Sequence, residues 1–419
     1  MTRHITLSAL LIIVVGYCSL NATFAINTVK PYDNYLWTGI QKKGTFQLGF
    51  YGANSYNERG VRWDHTKVCN VLQMWNCDQN TLAMVRGFDS DSEIGQRAAE
   101  LNDVPDNCVR GHVTPSADFH LAEGGIGARY WLPKGFSLGL FLPFIRMQLK
   151  NIRWCDCTSD VTEADYLTKD LLTDNLGQNV YELGGLDICT PWKRSGVGDL
   201  SFITRWERDF PQPKPILTNV YTSIYLGLSL PTGKRADIDR LFALPFGYDG
   251  SPGILFGGAL GLTWKHHFIG GVELNMTQLI GDTRRRRIKT AACQTDLLLL
   301  AKTQVHIDWG FLQRYRLYLG AHEIMKGLSF DVNYQFQKQG DSTLSICSND
   351  YISSIANTAE SLKMWTLHHI GINVQYDFGY DLCEDSNCSP CVGFFWQHGF
   401  KGRRAILSNK WGFAFSLTF

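Results

Sequence analysis

The sequence predicts an all-β protein, a transmembrane antiparallel β-barrel of about twelve strands with long cysteine-containing extracellular loops. Three observations lead to this prediction. The chain starts with an export signal, it contains no second apolar segment long enough to span a bilayer as a helix, and it repeats segments of about ten residues in which apolar and polar side chains alternate. Together they predict a protein of the bacterial outer membrane.

The first 25 residues have the layout of a cleavable secretory signal. Arg3 and His4 precede an apolar run over residues 5–15, and small residues follow. The run is too short to span a bilayer, and it lacks the polar alternation of an amphipathic buried helix. We therefore expect residues 1–25 to be a signal peptide and residues 26–419 to form the barrel with its loops.

Composition narrows the function classes. The 419 residues carry 40 Lys and Arg against 39 Asp and Glu, so the chain has no excess charge to attract nucleic acid, and no nucleic-acid partner is expected. The 40 glycines and 13% aromatic residues suit many turns and aromatic girdles at the membrane surfaces. Since no apolar stretch of about 18 residues follows the signal, only a barrel could carry the chain across a membrane.

The last strand shows the alternation most clearly. Its aromatic and aliphatic side chains share one face, and small residues occupy the other; the first set is Trp411, Phe413, Phe415, Leu417 and Phe419. An alternating strand that ends on Phe resembles the C-terminal signal that outer-membrane proteins present to the barrel assembly machinery. We expect Phe419 to be this assembly signal. A strand of a soluble sandwich is the alternative.

The same alternation predicts twelve strands, an even number as in bacterial barrels. They cover residues 44–51, 117–132, 136–148, 197–208, 218–230, 253–265, 268–279, 313–323, 328–338, 364–378, 392–399 and 411–419. Short turns at 133–135, 265–267 and 325–327 are assigned to the periplasmic side. The long connections, 52–116, 149–196, 231–252, 280–312 and 339–363, are assigned to the outside. Two periplasmic connections, 209–215 and 379–391, are longer than this pattern predicts.

The cysteines bear on the cellular compartment in which the protein resides. Eleven remain after the signal, and all fall in predicted loops: Cys69, Cys77, Cys108, Cys155, Cys157, Cys189, Cys293, Cys347, Cys383, Cys388 and Cys391. In an oxidising compartment such cysteines are expected to pair and brace loops that have no core of their own. Zinc binding is the alternative, but the spacings match neither a ribbon nor a finger, so no metal site is predicted.

Charged residues on the inner faces are the candidates for function. The alternation predicts that ten residues line the lumen: Glu123, Arg129, Arg205, Glu207, Glu273, Arg314, Arg316, His322, Asp331 and Asp377. A lumen that carries both signs of charge is either a wet pore or a plug of mutual salt bridges, and the sequence leaves both open. The run Arg284 to Arg287 is predicted to lie in an outer loop, as a solvated basic segment or a contact for lipopolysaccharide phosphates.

No catalytic residues and no cofactor are predicted. Some outer-membrane barrels hydrolyse lipids, and such enzymes need a nucleophile beside a histidine. The candidate pairs are Asp64 with His65, His306 with Asp308, and the adjacent histidines 266–267 and 368–369. None follows a nucleophile motif, and adjacent residues of a strand point to opposite faces. The chain is therefore not expected to be an enzyme, and lipid hydrolysis is the least favoured function.

A family resemblance rests on two short motifs. Gly196-Val197-Gly198-Asp199-Leu200 is followed, after one hairpin, by Leu228-Ser229-Leu230-Pro231-Thr232-Gly233-Lys234. This pair resembles bacterial outer-membrane proteins of the phenol meta-degradation pathway type, which are akin to the long-chain fatty-acid transporter. The segment from Gly327 to Tyr334 is a further similar strand, and the likeness covers about the second half of the chain.

The resemblance implies a porin-like protein that transports small, often hydrophobic solutes passively across the outer membrane. Outer-membrane lipids, the barrel assembly machinery and a small-molecule solute are then the expected partners. The alternative is a structural barrel or a surface-interaction barrel whose disulfide-braced loops meet other molecules. The transported solute, the oligomeric state and whether the lumen is open or plugged are not encoded in any motif.

Overall fold

Twelve long antiparallel strands dominate the computed structural model of the protein, which describes residues 43–64, 68–101, 111–157, 166, 169–325, 327–380 and 388–419. In chain order the strands are β1 (Phe46–Val61), β2 (His112–Trp131), β3 (Phe136–Asp156), β4 (Leu200–Pro211), β5 (Leu217–Leu230), β6 (Gly253–Trp264), β7 (Phe268–Leu279), β8 (Leu312–Met325), β9 (Leu328–Gln339), β10 (Trp365–Asp377), β11 (Ser389–Arg403) and β12 (Ala405–Thr418). The proposed signal peptide lies outside the described residues.

The strands close into one barrel. Each strand pairs with its neighbours in sequence, and β1 pairs both with β2 and with β12. Phe50, for example, lies opposite Ile126 on one side and Phe415 on the other. Closure leaves no open sheet edge, so every strand can satisfy its backbone hydrogen bonds inside a bilayer. The predicted barrel and its count of twelve strands are confirmed.

The two faces of the barrel differ as the alternation predicts. Large apolar side chains are exposed on the outer face, among them Phe50, Leu226, Leu317, Ile372 and Phe413. In water such a continuous apolar belt would be costly, whereas in lipid it is the expected surface of a membrane barrel. The chain is therefore a bacterial outer-membrane barrel. Among the described helices, none is long and apolar enough to cross a membrane.

The short turns and the long loops lie at opposite ends of the barrel, called here the short-turn end and the long-loop end. The short-turn end includes the connections 132–135, 212–216 and 265–267, and residues 378–380 after β10. At the long-loop end several strands run further than predicted. β1 continues to Val61 and β3 to Asp156, and β11 and β12 are joined through Arg404 alone, where a loop was expected.

The long loops fold into a cap, defined by the described parts of 62–111, 157–199, 231–252, 280–311 and 340–364. The cap contains a three-stranded sheet (Asp282–Arg287, Lys302–Asp308, Thr343–Ile346), the short strands Val68–Cys69, Gln79–Asn80 and Trp192–Val197, and the helices Thr81–Met84, Glu93–Glu100, Leu176–Gly184 and Ser353–Ala356. Its buried Leu72, Phe242, Leu298 and Val305 belong to one hydrophobic core. Burial of this core stabilises the described parts of the loops.

The two motifs that carry the family resemblance meet at the long-loop end and form a clasp. The backbone N–H of Gly233 donates to Asp199 Oδ1 over 2.9 Å, and that of Tyr248 donates to Asp199 Oδ2 over 2.5 Å. Thr232 Oγ1 donates to the carbonyl of Gly198 and accepts from the N–H of Leu200. Burial raises the pKa of Asp199, against the lowering effect of the two N–H donors. The clasp holds the 231–252 loop against the barrel.

The structure corrects one part of the cysteine prediction and leaves the other unconfirmed. Cys155 lies on β3 and Cys391 on β11, where its side chain is buried, so the expectation that all cysteines lie in loops is wrong. The nine cysteines that the structure describes are unpaired, and Cys108 and Cys383 lie outside the described residues. Bracing of the long loops by disulfides stays a prediction.

Candidate functional site in the barrel lumen

The lumen is filled at its middle by a layer of aromatic side chains, called here the aromatic septum. It consists of Tyr51, Phe141, Tyr225 and Phe395, which belong to one buried cluster with Ala53, Ile203, Leu255 and Ala414. Phe141 is 1% exposed and Phe395 is 2% exposed. Since Tyr225 on β5 and Phe395 on β11 come from strands six places apart on the ring of twelve, the cluster spans the diameter of the lumen.

Glycines on the inner wall make room for these rings. A Cβ atom at Gly125 would lie 2.5 Å from Cε1 of Tyr51 and 2.8 Å from Cε2 of Phe141. Gly412 leaves the same kind of space for Phe395, and Gly257 for Tyr225. The rings of Tyr51 and Phe141 stack with centroids 6.1 Å apart, within the range of favourable aromatic pairs. The septum is thus a closely fitted layer.

Between the septum and the short-turn end, two charged networks line the barrel wall. The first joins Arg129 to Glu207 and to Ser137, whose Oγ accepts from Arg129 Nε over 3.0 Å. Glu207 also pairs with Arg205 and accepts from the hydroxyl of Tyr221 over 2.7 Å. Each charge in this network has an opposite partner, which offsets the cost of burial.

The second network surrounds Arg316. Its Nη1 lies 3.5 Å from Glu273 and its Nη2 lies 2.9 Å from Asp331. Asn333 and Asn373 both donate to Asp331, at 3.1 Å and 2.8 Å. In this network Arg316 lies between two carboxylates, and the asparagine amides donate further hydrogen bonds to the oxygens of Asp331.

The two networks enclose a cavity of about 220 Å³ beneath the septum. Tyr225 and Phe395 belong to both the septum and the cavity wall, so the septum closes the cavity on the side of the long loops. Small residues, including Gly258, Ala259 and Gly393, provide the space.

Of the ten residues predicted to line the lumen, five lie in the cavity wall: Arg205, Glu273, Arg316, His322 and Asp331. Arg129 and Glu207 belong to the adjoining network. Glu123 pairs with Lys410 over 2.9 Å on the other side of the septum. Arg314 precedes Arg316 on the inner face of β8, and Asp377 accepts from Ser389 Oγ at the short-turn end. Their roles in solute passage stay predictions.

The sequence analysis did not identify the septum or Lys410. The signal that could have found the septum is an aromatic residue on the otherwise small or polar face of a strand. Phe141 stands on the same face as Ser137 and Gly139, and Tyr225 on the same face as Ser223 and Gly227. Such a residue interrupts a face that is otherwise suited to water.

Above the septum, buried polar side chains form what we call the polar belt: Glu123, Gln335, Gln337, His369, Gln397 and Lys410. The cap follows beyond this belt and contains its own cavity of about 110 Å³. Apolar side chains such as Trp75, Leu241, Phe242 and Leu297 line most of it. From the cap to the short-turn end the interior therefore alternates between apolar and polar layers.

The arginine run is built into the cap, which contradicts its interpretation as a solvated basic segment. Arg284 and Arg286 both pair with Asp249. Arg287 donates to the carbonyls of Gly184 and Leu299 and pairs with Asp239 over 2.8 Å. Within the run, only Arg285 is exposed. A lipid phosphate could therefore reach one of the four guanidinium groups at most.

His368 and His306, which were considered for catalysis, contact neighbouring side chains of the barrel wall and the cap. His368 lies on the outer face, where its Nδ1 is 2.7 Å from the hydroxyl of Tyr334 and its ring packs on Phe336. His306 lies 2.9 Å from Thr283 Oγ1 and 3.4 Å from Asp308, on an exposed part of the cap. His65 lies outside the described residues.

Several solved structures resemble the chain. An outer membrane channel from Pseudomonas putida F1 is 10% identical, with 93% of this chain and 99% of that chain covered and a TM-score of 0.49. The Pseudomonas putida toluene transporter TodX is 10% identical, with 90% and 89% covered and a TM-score of 0.33. The monoaromatic hydrocarbon channel CymD is 10% identical, with 96% and 98% covered and a TM-score of 0.30.

No protein-family model matches the sequence, and no curated protein sequence matches it either.

Proposed function

We propose that this barrel lets small solutes cross the outer membrane passively through its lumen. The observation that carries the proposal is the cavity of about 220 Å³ inside a closed membrane barrel, bounded by a septum that consists of side chains of the barrel strands. Lumen sites of barrels are the usual place for solute passage. The charged residues of the cavity wall then form part of the solute path.

In the proposed path, a solute passes from the cap cavity through the polar belt and the septum into the lumen cavity. Rotation of side chains at the septum would open this path without breaking any strand pairing. Phe395 and Tyr225 each contact a glycine on the wall, so their rings lie against the wall at one edge. The septum is thus the barrier to flux through the lumen.

The test removes part of the septum. Phe141→Ala combined with Phe395→Ala should raise the uptake of small solutes into proteoliposomes above that of the wild type, because two rings that cross the lumen are shortened. The matched control is Phe413→Ala with Phe415→Ala, which removes two exposed rings from the outer face. Heat-resistant migration on gels checks that each variant is folded.

Sugars and apolar compounds are compared in the same assay, which separates a general pore from a transporter of hydrophobic solutes. Flux no faster than in empty liposomes, for both the wild type and the septum variant, contradicts the transport function. That outcome favours the alternative, a structural or surface-interaction barrel. Lipid hydrolysis, the least favoured alternative, is measured in the same vesicles.

We also propose that the cap gains disulfides after export. Cys77 and Cys293 support this, because both are exposed and lie in segments joined by hydrogen bonds: Asp296 N–H donates to Asn76 Oδ1, and Asn80 N–H donates to Thr295 Oγ1, each over 3.1 Å. A bond between chain segments this distant would restrict the unfolded chain strongly. Non-reducing mass mapping of protein from the membrane tests it, and free thiols at both positions contradict it.

A further inference from the structure

The outer wall of the barrel has a concavity of about 380 Å³ at the level where the exposed apolar belt ends. It lies over β2, β3 and the short cap strand Trp192–Val197, called here the edge strand, which pairs with the outer part of β3. The outward-pointing residues that line the concavity are mostly small or apolar: Ala122, Gly124, Phe144, Ser195 and Val197. Such a surface suits a hydrocarbon chain better than water.

The outward side chains of β3 change from apolar to basic beside this concavity. Phe144 is the last member of an outward apolar row that begins at Phe136, and the next outward residue is Arg146. On the inner side of the same strand, Ile145 and Met147 are buried in the core that includes the cap. Arg146 therefore points away from the protein, at the level where hydrocarbon gives way to lipid head groups.

Three cationic side chains surround Ser195. Arg146 lies directly opposite Ser195 in the pairing of β3 with the edge strand, and Lys193 follows two residues away on the same outward face. Lys234 Nζ donates to the carbonyl of Ser195 over 2.6 Å. All three cations are exposed, and among the described residues none of them forms an ion pair. The described part of the chain thus leaves the positive charge at this end of the concavity uncompensated.

Two carboxylates of the neighbouring strand β2 have other partners. Asp118 lies opposite Lys150, further towards the cap, and accepts from Asn151 Nδ2 over 2.6 Å. Glu123 points inward and pairs with Lys410 over 2.9 Å. An anion at the three cations would therefore gain charged partners without displacing any ion pair described here.

The cations and the concavity together select an amphiphile. A soluble anion would use the cations and leave the apolar concavity empty, whereas a neutral lipid would do the reverse. A lipid with phosphates on its head group can use both, since its acyl chain packs against the wall while a phosphate reaches the cations. A guanidinium group can bind two phosphate oxygens at once, which makes Arg146 the anchor of the head group.

We propose that this part of the outer wall binds a phosphorylated lipid of the outer leaflet, namely lipopolysaccharide. One phosphate lies between Arg146, Lys193 and Lys234, and an acyl chain lies in the concavity beside Phe144. The site lies on the outside of the barrel wall, so the proposal does not depend on passage of a solute through the lumen. A bound lipid would also bridge β3, the edge strand and the 231–252 loop, because each of them supplies one of the cations.

The first experiment removes the charge. Protein refolded in detergent without lipid is titrated with diphosphoryl lipid A, the phosphorylated anchor of lipopolysaccharide, and native mass spectrometry measures the fraction bound. Arg146→Gln combined with Lys193→Gln should weaken binding about tenfold, because two of the three cations are lost. The matched control, Arg208→Gln with Lys214→Gln, removes the same charge from exposed positions at the short-turn end and should bind as the wild type does. Equal binding by the two double variants overturns the site.

The second experiment tests whether the occupant is a lipid. Ala122→Leu narrows the concavity without changing the charge and should weaken binding of diphosphoryl lipid A about three- to tenfold. Thr204→Leu enlarges an outward side chain on β4, away from the concavity, and should have no effect. Inorganic phosphate and a lipid A without phosphates should each bind about tenfold or more weakly than diphosphoryl lipid A, since each makes only one kind of contact.

Each arm of the second experiment can overturn the proposal. Inorganic phosphate that binds as tightly as diphosphoryl lipid A overturns the lipid as the occupant. Equal binding of the dephosphorylated lipid overturns recognition of the phosphate. If Ala122→Leu binds as the wild type does, the concavity is not the place of the acyl chain. Heat-resistant migration on gels checks that every variant is folded before its binding is measured.

Discussion

The close packing of the septum depends on Gly125, because a glycine leaves room for the neighbouring rings. We predict that Gly125→Val destabilises the barrel by about 1–3 kcal/mol, because the new side chain overlaps the rings of Tyr51 and Phe141, which are both buried. Denaturant midpoints in detergent measure the change. Gly52→Val adds the same atoms on the outer face, where nothing lies within 4 Å of the Cβ position, and should leave the midpoint unchanged. Equal midpoints for the two variants contradict the close fit.

The sequence alone assigns a single side chain to the inner or outer face only where the two-residue period of the strand and the polarity of the side chain agree. Arg205 and Glu207 could be assigned to the inner face because a charge does not face lipid and the period of a strand is two. Phe141 carries no such information, since an aromatic side chain suits both lipid and a packed layer. Which aromatic residues meet in the lumen depends on strands brought together only by closure of the barrel.

At the scale of elements, Arg287 ties three parts of the cap together. It donates to the carbonyls of Gly184 and Leu299 and pairs with Asp239. We predict that Arg287→Ala makes the cap sensitive to protease at concentrations that leave the wild type intact, because several partly buried carbonyls lose their donor. Arg285→Ala, in the same strand but exposed, serves as the control and should resist as the wild type does.

Asp239 makes this tie dependent on pH. Desolvation alone would raise the pKa of Asp239, but Lys302 and Arg287 outweigh it and hold the pKa below its ordinary value of 3.8. A carboxyl with a lowered folded-state pKa stabilises the fold above its unfolded pKa and loses that contribution as the pH falls through the lowered value. The Asp239→Asn variant should therefore have a lower melting temperature than the wild type at about pH 7. In strong acid the two proteins should have the same melting temperature. A difference that persists in acid contradicts the assignment.

The strand positions were predictable, but their outer ends were not. Inside the bilayer one face of each strand must be apolar, which produces the alternation. Beyond the bilayer this requirement ends, and the part of β1 from Asn54 to Gly60 is polar on both faces although it still pairs with β12. The cap core escaped prediction for a related reason, because five separate loops and the outer ends of several strands contribute its residues, and the contacts between them are not local.

At the scale of the molecule, the orientation of the barrel follows from its two unlike ends. We predict that a cysteine at position 285, in the cap, reacts with a membrane-impermeant maleimide on intact cells, and that one at position 134, in a short turn, does not. Native thiols are blocked beforehand. Lys289 is unsuited to this test, because it is 5% exposed and pairs with Asp296. Labelling at position 134 alone would reverse the orientation.

The C-terminal strand provides a second test of the whole barrel. Deletion of residues 411–419 removes most of the pairing of β12 with both β1 and β11, so the barrel cannot close and its open edges would expose backbone groups to lipid. We predict loss of the heat-resistant form on gels. Phe419→Ala should keep that form after refolding but lower the amount in the outer membrane, since Phe419 is proposed as the assembly signal. A truncated chain that folds as a soluble, protease-resistant monomer contradicts the membrane barrel.

The cap also sets an order of events during folding. The N–H of Asp296 bonds to the side chain of Asn76, 220 positions earlier in the chain, and that of Leu297 bonds to Gln79, 218 positions earlier. Neither contact can form until strands β1 to β7 hold the two loops at the same end of the molecule, and contacts between distant positions form slowly. We infer that these contacts between loops form after the barrel strands that carry the loops have come together. Until then the apolar side chains of its core are exposed, which makes this interval the stage at which the newly made protein is most open to chaperones and proteases.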